Sequence, residues 1–81
     1  MLHIKVLGPG CSNCKRLEMM VNQALASLSV EAKVEKVTDF MEIMKYPVLA
    51  TPGLVINEAL VSAGRLPSQA ELVSWLSASK N

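Results

Sequence analysis

The sequence predicts an α/β domain in which a mixed four-stranded sheet carries helices on both faces, with the element order β-α-β-α-β-β-α. Three observations predict this class. Short runs near the N-terminus alternate between apolar and polar residues, as strands of a half-buried sheet do. A long stretch between the first two runs has apolar residues at helical spacing, which favours a β-α-β unit. Two further strand-like runs lie close together in the chain and predict a hairpin.

The first half of the chain reads as strand, helix and strand. Residues 2–6 alternate between apolar and polar side chains, which predicts the first strand. Apolar residues then recur at helical spacing and predict a helix over about 12–28. Alternation resumes over 30–37 and predicts a second strand. Because a crossover helix separates these two strands, we expect them to be parallel.

The second half begins with a short helix and a hairpin. A helical pattern over 40–44 ends before Pro47, which cannot continue a helix. The apolar runs 54–56 and 60–62 predict two antiparallel strands, joined tightly around Asn57–Glu58. Asn tolerates the positive φ of such a turn, whereas Glu is unfavourable there.

A last helix closes the predicted domain. Ser68 and Glu71 have the spacing of a capping box, in which each residue satisfies a backbone N–H of the other. Leu72, Trp75 and Leu76 follow at helical spacing and form its buried side. Placed against the sheet, this helix and the two before it cover both faces.

Composition limits the classes of function. The 81 residues are enough for one modest core, so we expect a single domain over residues 1–81. Net charge is +1 and the charges are mixed in sign, so neither nucleic acid nor a membrane is expected as a partner. No apolar run approaches the length of a membrane span, and the N-terminus is too short and mixed for a signal peptide. We therefore expect a cytoplasmic protein.

The chain contains only two cysteines, Cys11 and Cys14, and they form a Cys-x-x-Cys pair at the first strand-to-helix junction. A structural disulfide is not expected in the cytosol, so such a pair should be catalytic or metal-binding. Helical spacing exposes Cys11 at the start of the helix and puts Cys14 one turn in, on the apolar side.

This asymmetry suits dithiol chemistry. Free N–H groups and the dipole at a helix N-terminus stabilise a thiolate and lower a cysteine pKa from about 8.5 to roughly 3.5–7.5. Cys11 would attack a substrate disulfide, and Cys14 would then attack the Cys11 sulfur and release the reduced substrate.

Other interpretations of the pair remain open on these residues alone. One is that both cysteines are ordinary small core residues, although this spacing at a strand-to-helix junction argues against coincidence. A structural zinc site needs about four ligands, and the chain offers two Cys and His3. A soft-metal or metalloid carrier for copper(I) or arsenite needs only two thiolates. A redox-sensing or structural domain without turnover is a further class.

Three stretches together resemble one family. Gly8–Cys14 resembles the active-site loop of the small thioredoxin-like, or glutaredoxin-like, redox-active disulfide proteins. Ala50–Asn57 looks like the Thr-Pro segment before the third strand of the thioredoxin fold, and Val61–Ser68 is similar to its passage into the last helix. The resemblance covers nearly the whole chain, in order and with matching spacing.

The resemblance implies a thioredoxin-like fold and a protein dithiol–disulfide oxidoreductase. Cys11 and Cys14 would be the catalytic pair and the redox-active disulfide, with no metal and no bound cofactor. Thr51–Pro52 would be a cis peptide bond that faces the substrate. Gly64 would lie near the active-site loop as a further substrate-binding residue.

The same resemblance implies partners. Protein disulfides would be the substrates and a disulfide reductase the electron donor. Apart from the resemblance, we expect a monomer. The segment 62–68 lacks the acidic pair with which glutaredoxins bind glutathione, which counts against glutathione as a partner. Thioredoxins also bury a carboxylate on the strand before the motif. Here that strand offers only His3 and Lys5, so the proton acceptor for Cys14 is unidentified.

Overall fold

Three helices and four strands follow one another in the predicted order in the computed structural model, which describes residues 2–48 and 50–79. Their bounds are β1 (Leu2–Leu7), α1 (Ser12–Leu28), β2 (Ala32–Val37), α2 (Phe40–Ile43), β3 (Gly53–Ile56), β4 (Ala59–Ala63) and α3 (Gln69–Ser79).

The strands form one mixed sheet in the order β2-β1-β3-β4. β1 and β2 are parallel, whereas β3 is antiparallel to both of its neighbours. Leu7 pairs with both Val37 and Gly53, and Gly53 pairs in turn with Ala63. The loops that follow β1, β2 and β4 and the loop that precedes β3 therefore meet at one end of the sheet.

Helices cover both faces of this sheet, as predicted. α1 and α3 pack on one face around a core that is fully or almost fully buried: Leu2, Ile4, Val6, Leu17, Val21, Ala24, Leu25, Leu54, Ile56, Leu72 and Leu76. α2 covers the other face, where Ile43 packs with Leu7 and Val55. Burying one such aliphatic side chain stabilises a fold by about 1.5–3 kcal/mol, so the α1 and α3 face holds most of the hydrophobic stabilisation.

The end of α1 explains where β2 begins. Ser29 adopts the left-handed conformation, with φ 54°. Its N–H donates to the carbonyl of Ala26, and the N–H of Val30 donates to the carbonyl of Leu25. These bonds satisfy carbonyls that the helix leaves free. The predicted strand start at Val30 is therefore wrong, because Val30 completes the helix terminus and β2 starts at Ala32.

The other two helices begin at side-chain caps. The Asp39 carboxylate accepts the N–H of Met41 at 3.1 Å and caps α2. The predicted capping box of α3 is confirmed: Ser68 Oγ accepts the N–H of Glu71 at 3.1 Å, and the Glu71 carboxylate accepts the N–H of Ser68 at 3.0 Å.

Glu58 in the hairpin turn binds side chains outside the turn. Asn57 and Glu58 both have positive φ, of 49° and 69°. The Glu58 carboxylate accepts a hydrogen bond from Lys5 Nζ at 2.8 Å and another from the Tyr46 hydroxyl at 3.2 Å. These partners raise the pKa of Lys5, first through the bond to Glu58 and then through that to Tyr46. These hydrogen bonds connect the hairpin turn to β1 and to Tyr46.

Candidate active site

Cys11 stands at the N-terminus of α1, as the sequence predicts. It is the N-cap residue, with an extended backbone, and it is exposed. Gly10, just before it, has φ +95°, a conformation that L side chains rarely adopt. Cys14 lies one turn into the helix and is 5% exposed. The turn thus delivers one accessible sulfur and one covered sulfur.

The two sulfurs are joined in a disulfide, with 5.0 Å between the Cα atoms. The backbone N–H of Cys14 donates to Cys11 Sγ at 3.2 Å. A sulfur that accepts an N–H at a helix N-terminus lies where a negative charge is stabilised. Lys15 and Arg16 follow in the first turn with exposed side chains and add positive charge nearby. The geometry favours a thiolate on Cys11 once the disulfide is reduced.

The Thr51–Pro52 segment lies beside the pair. Its peptide bond is cis, the isomer that the resemblance implies. Thr51 is exposed and Pro52 is buried. Gly8 lies between this segment and the disulfide: a Cβ built on Gly8 would be 3.7 Å from Thr51 Cβ and would overlap Cys14 Sγ. Gly8, Cys14 and Thr51 are therefore immediate neighbours.

Gly64 contacts the same segment through its backbone. Its N–H donates to the carbonyl of Pro52 at 3.0 Å. Its φ is +75°, and an added Cβ would come within 3.2 Å of Ala50 Cβ. The structure thus brings the predicted site residues to one end of the sheet: Cys11, Cys14, Thr51, Pro52 and Gly64.

An apolar groove extends from these residues toward α2. Its volume is about 340 Å³. The groove is lined by Pro9, Thr38, Phe40, Ile43, Met44, Val48, Ala50 and Thr51. Phe40 is 68% exposed and Met44 60% exposed, although both are large and apolar. The sequence reasoning missed this groove. The sequence does contain an indication of it. The helical pattern over 40–44 has four apolar residues out of five, which is more than one buried face of a helix accommodates.

The polar residues of β1 are engaged away from the cysteines. His3 Nε2 lies 3.0 Å from Glu35 Oε1, and Lys5 binds Glu58 and Tyr46. Over residues 2–48 and 50–79 there is no group of three or more His, Cys, Asp or Glu side chains placed to hold a metal ion.

The cation of the segment 62–68, which lacks the acidic pair of glutaredoxins, is also engaged in an ion pair. Arg65 donates two hydrogen bonds to the Glu71 carboxylate, at 3.0 and 2.7 Å. A ligand carboxylate would have to compete with Glu71 for this guanidinium.

Comparison with known proteins identifies the family. A family model described as a thioredoxin domain matches residues 2–77. The chain belongs to the thioredoxin family. Thioredoxin from Methanothermobacter thermautotrophicus is 34% identical over 77 residues, which cover 95% of this chain and 100% of that protein. Thioredoxin from Methanocaldococcus jannaschii is 35% identical over 72 residues, covering 89% and 83%.

Family membership and the disulfide-linked Cys-x-x-Cys pair identify a thiol–disulfide oxidoreductase with a thioredoxin-like fold, as predicted. None of the helices in the described part of the chain has the length and apolar character needed to cross a membrane.

Proposed function

We propose that this thioredoxin-family protein exchanges electron pairs with disulfides of other proteins, with Cys11 as the nucleophile and Cys14 as the resolving thiol. The asymmetry of the pair carries the proposal: Cys11 is exposed at a helix N-terminus, whereas Cys14 is 5% exposed and lies one turn in. Only Cys11 is accessible to a disulfide on another macromolecule.

The transfer proceeds in two thiol–disulfide exchanges. The Cys11 thiolate attacks one sulfur of the substrate disulfide, so that a mixed disulfide forms and the other substrate sulfur leaves as a thiolate and takes a proton. The Cys14 thiol then loses its proton and attacks Cys11 Sγ, which frees the second substrate thiol. Two electrons and two protons pass to the substrate, and the protein is left with the Cys11–Cys14 disulfide. A disulfide reductase returns it to the dithiol.

Thr51, Pro52 and Gly64 form the substrate-facing loops in this proposal. The exposed Thr51 lies next to Gly8 and Cys14, where the backbone of an extended substrate segment would pass. The groove beside it, lined by residues such as Phe40 and Met44, favours an apolar substrate side chain. This apolar lining suits a protein substrate better than the charged tripeptide glutathione.

Reduction of insulin tests the proposal. The pre-reduced protein should reduce insulin with dithiothreitol as the electron source, and Cys11→Ser should abolish the activity. Cys14→Ser serves as the matched variant, because it keeps the nucleophile and, once pre-reduced and freed of dithiothreitol, should accumulate a mixed disulfide with the substrate. Equal rates for the wild type and Cys11→Ser would refute the proposal. Tight stoichiometric copper(I) binding by the dithiol without insulin reduction would indicate a metal carrier instead.

A further inference from the structure

Gly8 occupies a position where a side chain would collide with the active-site disulfide. It is buried directly after β1. A Cβ built there would overlap Cys14 Sγ and would lie 3.3 Å from Cys14 Cβ. Gly8 does not have the positive φ found at Gly10 and Gly64. The φ of Gly8 therefore does not itself call for glycine, and the nearest obstacle to a side chain is Cys14, first through its Sγ and then through its Cβ.

We propose that Gly8 is a positioning residue that sets the redox equilibrium of the Cys11–Cys14 couple by leaving space for Cys14 Sγ in the disulfide. In the oxidised protein this sulfur is held by bonds to its own Cβ and to Cys11 Sγ, so it cannot rotate. In the dithiol it is held only by its Cβ and is free to take another staggered position. A methyl group at position 8 therefore disfavours the disulfide more than the dithiol.

This inference deepens the proposed function, since it rests on Cys14 being the second thiol of the redox couple. The equilibrium in question is the exchange with a small dithiol. The protein disulfide and dithiothreitol give the protein dithiol and cyclic oxidised dithiothreitol, with two electrons and two protons transferred. Gly8 shifts this equilibrium toward the disulfide.

Redox titration of Gly8→Ala tests the inference. We expect the equilibrium constant to move toward the protein dithiol by about tenfold, which corresponds to a reduction potential higher by about 30 mV. The dithiol and disulfide fractions are measured by alkylation and mass spectrometry over a range of dithiothreitol redox ratios. A constant within twofold of the wild type would overturn the inference.

Gly53→Ala is the matched control. Gly53 also has no positive φ, and an added Cβ would lie 3.3 Å from side-chain atoms of Leu7 and Val48. Neither neighbour is a cysteine, so this variant should lose stability while its redox equilibrium stays within twofold of the wild type. An equal shift in Gly53→Ala and Gly8→Ala would show that general destabilisation is the cause, and the inference would fail.

Unfolding measurements keep the inference testable where oxidised Gly8→Ala does not fold. Urea unfolding is compared for Gly8→Ala in the oxidised protein, in the reduced protein and in a Cys14→Ala background. The loss of stability should be largest in the oxidised protein, smaller in the reduced protein and smallest without the sulfur. Equal losses in the three backgrounds, or failure to fold in all of them, would contradict the role of the sulfur.

The two proposals fail separately. The redox equilibrium with dithiothreitol involves no protein substrate. A protein that shows the Gly8→Ala shift but does not reduce insulin would contradict the proposed function and leave the role of Gly8 standing.

Discussion

At the scale of single residues, Cys11 combines a structural and a chemical role. An N-cap side chain usually accepts a backbone N–H through oxygen, and Cys11 does so through sulfur at 3.2 Å from the N–H of Cys14. The group that begins α1 is thus the group that attacks in the proposed reaction. The spacing of the cysteines and the helical pattern after them were sufficient to predict this position.

Two serines, one whose hydroxyl has no hydrogen-bond partner and one whose hydroxyl caps a helix, give a prediction at the same scale. Ser62 Oγ is buried and has no hydrogen-bond partner among the residues described. Ser62→Ala should either lower the free energy of unfolding by less than about 1 kcal/mol or raise it. The reason is that the substitution removes a desolvated hydroxyl that makes no hydrogen bond. Ser68→Ala, in contrast, removes a helix cap and should lower the free energy of unfolding by about 1 kcal/mol.

Urea unfolding of both serine variants at pH 7 measures the difference. A larger loss for Ser62→Ala than for Ser68→Ala would show that the Ser62 hydroxyl has a partner in solution.

At the scale of the elements, helix boundaries are decided by short-range hydrogen bonds. The capping box at Ser68 and Glu71 was predicted from spacing alone, and the bonds are in place. The boundary between α1 and β2 was not predicted correctly, because the alternating pattern extends back to Val30 while the N–H of Val30 bonds to Leu25 in the preceding helix. At this boundary the helical and strand patterns overlap, and the hydrogen bonds at the end of α1 decide where the strand begins.

The start of α3 also gives a pH prediction. The Glu71 pKa is lowered from 4.5 to about 2, first by the hydrogen bonds from Arg65 and then by the backbone N–H of Ser68. A carboxyl with a depressed pKa in the folded state contributes its stability fully above the unfolded value. That contribution is lost as the pH falls from 4.5 to about 2, because the unfolded chain takes up the proton first.

Glu71→Gln should therefore be less stable than the wild type at pH 7 and should depend less on pH between 4.5 and 2. Urea unfolding midpoints at several pH values in this range measure the effect. Arg65→Gln should reproduce part of this change in pH dependence, since Arg65 is the largest cause of the lowered Glu71 pKa. A pH profile of Glu71→Gln parallel to that of the wild type would contradict the assignment.

At the scale of the whole molecule, the sheet assembles the site. The pairs Leu7–Val37, Leu7–Gly53 and Gly53–Ala63 set the ends of the four strands side by side. The cysteine loop, the start of α2, the Thr51–Pro52 segment and Gly64 consequently meet, although they are far apart in the chain. The groove beside the cysteines exists only in this assembly.

Two equally exposed methionines test the function of the groove. Met44 lines it, whereas Met19 lies on α1 outside it, and each is 60% exposed. Met44→Ser should raise the KM for insulin on the order of fivefold, because partial burial of one such side chain is worth about 1 kcal/mol. Met19→Ser should leave the KM unchanged.

The reaction of both methionine variants with a small aromatic disulfide provides the reference, since such a substrate does not extend along the groove. Equal KM values for insulin in Met44→Ser and Met19→Ser would exclude the groove as a substrate contact.

The sequence by itself determined the elements, their order and the two reactive residues. Strand alternation, the helical spacing over 12–28 and the spacing of the capping box depend on interactions within about four residues, so they are readable along the chain. The Cys-x-x-Cys pair can be read in the same way, because its two cysteines lie within one helical turn of each other.

Only the tertiary structure decided what surrounds the pair. Gly8 reads along the chain as a turn residue, and its contact with Cys14 Sγ and Thr51 appears only when β1, α1 and the loop before β3 are packed together. The hydrogen bond from Gly64 to Pro52 and the partners of Glu58 arise in the same way. The physical reason is that such contacts depend on strand register and helix packing, which bring distant residues together and which no local periodicity encodes.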